Sequence, residues 1–202
     1  MTFKPGNDTY FEGILQLRDM TDAIEDLVKM RIDKDGLSIS KVIKQKTGID
    51  LFLSSQRKTL SIGRELRKHF GGEVKISRKL HTQDKQTTRN LYRVTVFYRP
   101  PSFAPGDCIS SDGRILLITG VDDRAHGLDL ESGRRASIPY VGKGIVILPK
   151  SQTTVCKVRP RIEVLHPETY QNVAVKNPRK IQVKPGEKVT VAVGETTIYM
   201  IK

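Results

Sequence analysis

Between Arg99 and Gly106 the chain reads Arg-Pro-Pro-Ser-Phe-Ala-Pro-Gly, three prolines and a glycine in eight residues. Neither a helix nor a strand can run through such a stretch, because proline lacks the amide hydrogen and fixes φ. The chain is therefore divided here. Ahead of the break, helical and strand periodicities alternate; behind it, only short β-type runs occur. With 202 residues, 37% of them apolar and 28% charged, the chain can bury real cores on both sides.

Ahead of the break, Thr9–Arg18 alternates as a strand. Asp19 or Thr21 can cap a helix over Asp22–Ile32, whose Ile24, Leu27, Val28 and Arg31 share a face. A second short helix is predicted over Ser38–Lys46, with Gly48 near its stop. Ile49–Leu53 reads as a short strand. Ser54 or Ser55 then caps a helix from Gln56 to Phe70, with an apolar stripe of Leu60, Gly63, Leu66 and Phe70 widened by Ile62. Glu73–Leu80 and Leu91–Tyr98 read as paired strands joined by the polar segment His81–Asn90. The order β-α-α-β-α-β-β predicts an α/β sandwich, with helices covering one face of a mixed sheet.

Behind the break, Asp107–Ser111, Arg114–Val121, Ala125–Leu130, Arg134–Pro139 and Gly144–Leu148 form five short β runs separated by Ser-Asp-Gly, Asp-Asp-Arg and Glu-Ser-Gly turns. That pattern fits an SH3-like barrel. A second set follows at Thr153–Arg159, Arg161–Leu165, Gln171–Val175, Lys180–Val183, Lys188–Val193 and Thr196–Ile201. It fits an OB-like barrel or a continuation of the first. The expected class is α+β, with domains at 1–101 (α/β), 102–150 (SH3-like) and 151–202 (OB-like).

The formal net charge of +13 implies an acidic partner, nucleic acid before an anionic membrane surface. Its distribution is uneven. Residues 1–55 hold 8 basic and 9 acidic side chains, residues 56–99 hold 12 and 3, residues 100–150 hold 6 and 6, and residues 151–202 hold 9 and 4. In the second segment Arg57, Lys58, Arg64, Arg67, Lys68, Lys75, Arg78, Lys79, Lys85, Arg89 and Arg93 fall on one helix, the following strand pair and its connection. On the helix, Arg57, Arg64 and Lys68 lie within about 40° of one another at 100° per residue. Only Glu65, Glu73 and Asp84 oppose them, so these eleven residues are the candidate RNA-binding face. Aromatics able to stack on bases are sparse, and Tyr92 and Tyr98 read equally well as core. The balance favours structured RNA, read through its backbone and shape, over splayed single strands.

Other chemistry is not signalled. Cys108 and Cys156 read as buried small hydrophobes, and no C-x-x-C pair offers a zinc site. His69, His81, His126 and His166 lack metal-ligand spacing. Asp122, Asp123, Asp129 and Glu131 sit in turns, where Asp serves the backbone. Gly142-Lys143-Gly144 lacks the spacing of a phosphate loop. Neither Ser61 nor the Ser54/Ser55 pair is matched to a base by pattern. We expect no catalytic residue and no metal site. No apolar run nears the ~20 residues of a membrane helix, and no signal peptide is visible, so a soluble cytoplasmic protein is expected.

Gly48-Ile-Asp-Leu-Phe-Leu-Ser-Ser, Phe70-Gly-Gly-Glu-Val-Lys, Leu91-Tyr-Arg-Val-Thr-Val and Phe103-Ala-Pro-Gly-Asp, preceded by Ile39-Ser-Lys-Val, resemble the NMD-three family, in particular its archaeal members. The resemblance covers about residues 9–150. It implies a factor acting on the large ribosomal subunit: an export adaptor in eukaryotes, a maturation or quality-control factor in archaea. It further implies an α/β domain like ribosomal protein L twenty-two, then SH3-like and OB-like barrels as in translation factor five-A. The family's N-terminal zinc domain is missing here, and a chain that begins after it is expected, a short paralogue being the alternative. Zinc would belong to that domain alone; no cofactor is expected in this chain. Nor is the family's export function carried over, since the eukaryotic C-terminal extension is also missing.

These readings converge on a non-enzymatic large-subunit-binding factor in ribosome maturation or quality control. Its expected partners are the large ribosomal subunit, ribosomal RNA and ribosomal proteins, with no membrane and no small-molecule substrate. The alternative is a protein-interaction scaffold of the translation machinery without direct RNA contact.

Overall fold

The structure, a computed structural model, describes residues 3, 5–6, 10–83, 90–141, 144–176, 181–194 and 197–201. The chain divides into two compact units, Met1–Ser102 and Phe103–Lys202, and the boundary along the sequence falls inside the proline-rich break.

In the first unit the elements are β1 (Gly13–Arg18), α1 (Asp22–Lys34), β2 (Ile39–Gln45), β3 (Gly48–Leu53), α2 (Gln56–Phe70), β4 (Glu73–Gln83) and β5 (Asn90–Arg99). They build one sheet in the order β2-β3-β1-β5-β4, antiparallel throughout except for the parallel pair β1 and β5. Alternation sends Leu15, Leu17, Leu51, Leu53, Val94, Val96 and Tyr98 to one face. There they are buried with Ile24, Val28 and Ile32 of α1 and Ile62 and Leu66 of α2. The opposite face carries Gln16, Arg18, Asp50, Phe52 and Phe97. Gly63 lets α2 lie close on β5, since a Cβ there would come within 2.5 Å of Val96 Cγ1.

One predicted element is wrong in kind. Ser38–Lys46 is not a helix; Ile39–Gln45 is strand β2, joined to β3 by a two-residue turn with Gln45 opposite Gly48. The β-branched Ile39, Val42 and Ile43 suit a pleated surface, and the tight hairpin decides the matter over a helix of two turns. Gly48 is therefore no helix stop. It crosses so close to β1 that a Cβ would collide with the Leu17 carbonyl oxygen. The observed order is β-α-β-β-α-β-β, with the mixed sheet and the single helical layer retained.

In the second unit, β6 (Cys108–Ser111), β7 (Arg114–Val121), β8 (Ala125–Asp129), β9 (Arg135–Ile138) and β10 (Val146–Leu148) form an antiparallel sheet in the order β10-β6-β7-β8-β9. Its core holds Phe103, Ile109, Leu116, Ile118, Ile138 and Tyr140. β11 (Lys150–Lys157), β12 (Glu163–Leu165), β13 (Asn172–Ala174), β14 (Lys188–Val193) and β15 (Ile198–Ile201) form another, ordered β13-β12-β11-β14-β15, over Val155, Val164, Val191, Ile198 and Met200. Cys108, Leu130 and Leu148 of the first set share a cluster with Ala192 and Tyr199 of the second, and Tyr199 Oη donates to Glu131 Oε1 at 2.8 Å. Residues 181–183 are not a strand, contrary to expectation; β13 instead leads through an isolated bridge from Val175 to Ile198.

Candidate nucleic-acid interface

α2 is held by local chemistry that leaves its outer face unused. Ser55 caps it, accepting from the Lys58 amide, and the Glu12 carboxylate accepts from the Gln56 amide at 3.1 Å. Thr59, Ile62, Gly63 and Leu66 are buried. The helix's own acid, Glu65, is drawn to α1, where Arg31 Nε reaches it at 2.8 Å. Arg57, Arg64 and Lys68 are thus exposed along ~16 Å of helix, and none has an ion-pair partner among the described residues. Arg57 also breaks a local rule. It stands in a first turn without acids, the end where the helix dipole favours anions.

The eleven predicted residues do not form one face. Arg67 is exposed on α2 beside the stripe, whereas Lys58 turns inward and its ammonium donates to the Asp35 carbonyl at the end of α1, a structural tie. Strand alternation divides the rest. Arg78, opposite Val94, lies on the helix side of the sheet; Lys75 and Lys79 point to the other side. Lys75 pairs with Glu73 at 2.8 Å and lies 5.9 Å from the Phe97 ring centre. Arg93 is fixed in place, its guanidinium 3.8 Å from the Phe11 ring centre and its Nε donating to the Phe11 carbonyl at 3.2 Å. Lys85 and Arg89 lie outside the described residues.

What the sequence reading missed is a groove of about 500 Å³ between the first turn of α2, the β4–β5 pair and the segment entering β1. Arg57, Arg78 and Arg93 meet there with Leu60, His81, Tyr92 and Tyr10. Tyr10 Oη donates to Glu12 Oε1 at 3.1 Å; burial first, and then this bond, raise its pKa. Tyr98 is core, but Tyr92 is 45% exposed. Also missed was the sheet's other face, where Arg18, Lys75 and Arg99 stand within about 6 Å of the Phe97 ring centre. Period-two counting from Val94 along β5 and across to β4 separates Arg78 and Tyr92 from Lys75, Phe97 and Arg99. It places Arg93, opposite Lys79, with the second set, so the place of Arg93 in the groove wall is beyond such counting.

The remaining candidates have structural partners. Asp129 Oδ1 accepts from the amides of Glu131 and Ser132, and Asp122 Oδ1 lies 3.0 Å from His126 Nε2. The Asp122 carboxyl is held low by the Arg124 amide first and His126 second. No three His, Cys, Asp or Glu side chains gather into a metal site among the described residues, and none of those residues forms a helix long and apolar enough to cross a membrane. Cys108 is buried as expected. Cys156 is exposed, a correction that follows from its position outside the alternation that buries Thr153 and Val155.

Residues 10–99, the sheet and both helices of the first unit, match the family model described as NMD3, second domain. By this match the first unit carries a domain of the NMD3 family. The block that carries the NMD3 resemblance has a structural explanation here. Gly48 permits the close crossing of β3 over β1, and Asp50 is buried against Arg18 at 2.8 Å. Ser54 Oγ accepts from the Ser38 amide, and Ser55 caps α2. No curated protein matches this chain. Among solved structures it is similar to one described as eukaryotic translation initiation factor 5A from Methanococcus jannaschii, at 16% identity and a TM-score of 0.37, over 50% of this chain and 90% of that chain.

Proposed function

We propose that this chain is a non-enzymatic, ribosome-associated factor that holds large-subunit ribosomal RNA through α2 and acts in subunit maturation or quality control. The observation that carries the reading is the exposed stripe Arg57, Arg64 and Lys68, from which the one helical acid has been withdrawn into an ion pair with Arg31. Cations without internal partners keep their full charge for phosphate. In this reading the first unit is an L-twenty-two-like domain over 1–101, with SH3-like and OB-like parts over 102–150 and 151–202. The factor works in the cytoplasm, without a cofactor of its own, and touches ribosomal proteins through its β sheets.

The test is the salt dependence of binding to purified large subunits. About six phosphate contacts give a log–log slope near −4 to −5. Reversing Arg57, Arg64 and Lys68 to Glu together should flatten that slope by about 2 to 3 and weaken co-sedimentation. Wild-type affinity and slope in the triple variant would discard the α2 interface. A second reading, a protein-binding scaffold, is favoured by one observation. Val146 and Ile147 are 60% and 41% exposed on the edge strand β10, a place where a partner strand can add. Binding that ignores salt and survives nuclease treatment would select it.

A further inference from the structure

The groove beside α2 differs in chemistry from the stripe on the helix. The stripe is convex and cationic, suited to a phosphate backbone. The groove is concave and amphipathic. Its volume, about 500 Å³, is in the range of small-ligand sites, and it lies where α2 ends before the sheet does. The helix-side positions beyond that point are Leu80 and Tyr92, a cross-strand pair left 52% and 45% exposed where the core would otherwise continue.

Three arginines converge on this apolar surface, and the single acid in the wall cannot neutralise them. Glu12 brings one negative charge against three positive ones, and its two carboxylate oxygens are oriented by the Tyr10 hydroxyl and the Gln56 amide. Arg93 is anchored against Phe11 and forms a rigid side of the groove. Arg57 and Arg78 have no ion-pair partner among the described residues. A ligand matching this wall needs a flat apolar body for Tyr92 and Leu60 and an anion for the arginine forks. An unpaired nucleotide has both, a π face for stacking and a phosphate for bidentate guanidinium contact. An acidic peptide would satisfy the arginines but leave the tyrosine surface without a counterpart.

We infer that this groove takes one unpaired, unstacked nucleotide of the bound RNA, its base against Tyr92 and Leu60 and its phosphate at Arg57 and Arg78. The inference rests on the RNA-binding reading above and adds to it a preference for a bulge or loop over continuous duplex. It goes beyond the expectation that structured RNA is read through its backbone and shape in preference to splayed single strands.

The experiment uses the full chain and two fluorescein-labelled RNA hairpins that differ only by one bulged nucleotide, with affinity measured by anisotropy at one fixed salt concentration. Wild type should bind the bulged hairpin roughly tenfold more tightly. Tyr92→Ala should abolish that preference and leave affinity for the paired hairpin unchanged, while Tyr92→Phe should keep it. A thermal melt of each variant checks that the fold is intact. Equal affinity of wild type for both hairpins, or a Tyr92→Ala loss that is the same on both, overturns the nucleotide groove and leaves the α2 interface standing. Failure of wild type to bind either hairpin overturns both readings. Binding of a poly-glutamate peptide that depends on Tyr92, without any bulge preference, overturns the inference in favour of a protein ligand.

Discussion

Replacing Arg18 by Met should destabilise the first unit far more than the loss of a surface charge would. Arg18 Nη1 meets Asp50 Oδ1 at 2.8 Å, and the two side chains are only 15% and 9% exposed. Arg18→Met leaves Asp50 as a buried carboxylate without its cation, which typically costs about 3–5 kcal/mol. Two amides remain to temper that cost, Gln45 Nε2 at 3.0 Å and Gln16 Nε2 at 3.4 Å, so we place the loss at the lower end, about 3 kcal/mol. For a domain of this size, that is a fall in Tm of about 12–24 °C. Arg18→Met combined with Asp50→Leu substitutes an apolar pair for the ion pair and should recover about 2 kcal/mol of the loss. The chain has no tryptophan, so hydrogen exchange at the β1 and β3 amides across a urea series is the readout that isolates this unit. If the double variant equals the sum of the two single ones within about 0.5 kcal/mol, the two groups are not coupled and the reasoning fails.

Two further outcomes are expected in the second unit. Burial pushes the Cys108 thiol up to about 11, while Cys156 is exposed; one equivalent of Ellman's reagent should react quickly at pH 8, and a second only in denaturant. Two fast equivalents would contradict the packing of Cys108. The Asp107 carboxylate accepts from the Ala104 amide at 2.9 Å and from Lys150 Nζ at 3.0 Å, which hold its pKa below the ordinary range, the amide contributing most. A depressed carboxyl stabilises the fold above its unfolded pKa near 4, and that contribution is lost as the pH falls through the folded value. Asp107→Asn should therefore flatten the acid limb of this unit's stability below about pH 4, measured by urea titration at stepped pH. An unchanged limb would remove Asp107 from the account.

Much of the fold was legible because its elements carry signals at their own scale. The period of α2, its serine cap and the Gly71-Gly72 stop are all local, and the predicted Gln56–Phe70 is the observed helix. The five runs of residues 107–148 emerged because Gly and Asp turns punctuate them. Ile39–Gln45 failed because seven residues with two adjacent apolar side chains satisfy a short helix as well as a strand. What decides is the hairpin to β3, a pairing that sequence period does not contain. The groove was invisible for a related reason. Tyr10, Arg57, Arg78 and Tyr92 are brought together by the parallel pairing of β1 with β5 and by α2 ending short of the sheet.

The Gly48–Ser55 block and the positions that carry the proposed chemistry are disjoint, although Tyr92 and Arg93 lie in another of the resembling segments, Leu91–Val96, and the structure gives the reason for the block. Gly48, Asp50, Ser54 and Ser55 form the crossing, the buried ion pair and the cap that set where α2 begins and how it lies. None of them faces the stripe or the groove. Arg64, Lys68, Arg78 and Tyr92 are exposed and stand outside the buried core of the first unit. A chain could keep the block and lose the cations, and it would fold as this one does without holding phosphate. The resemblance therefore identifies a scaffold, and the RNA reading must be tested on the exposed residues alone. On the proposed reading, substitutions within the block would act on binding only through the fold that presents those exposed residues.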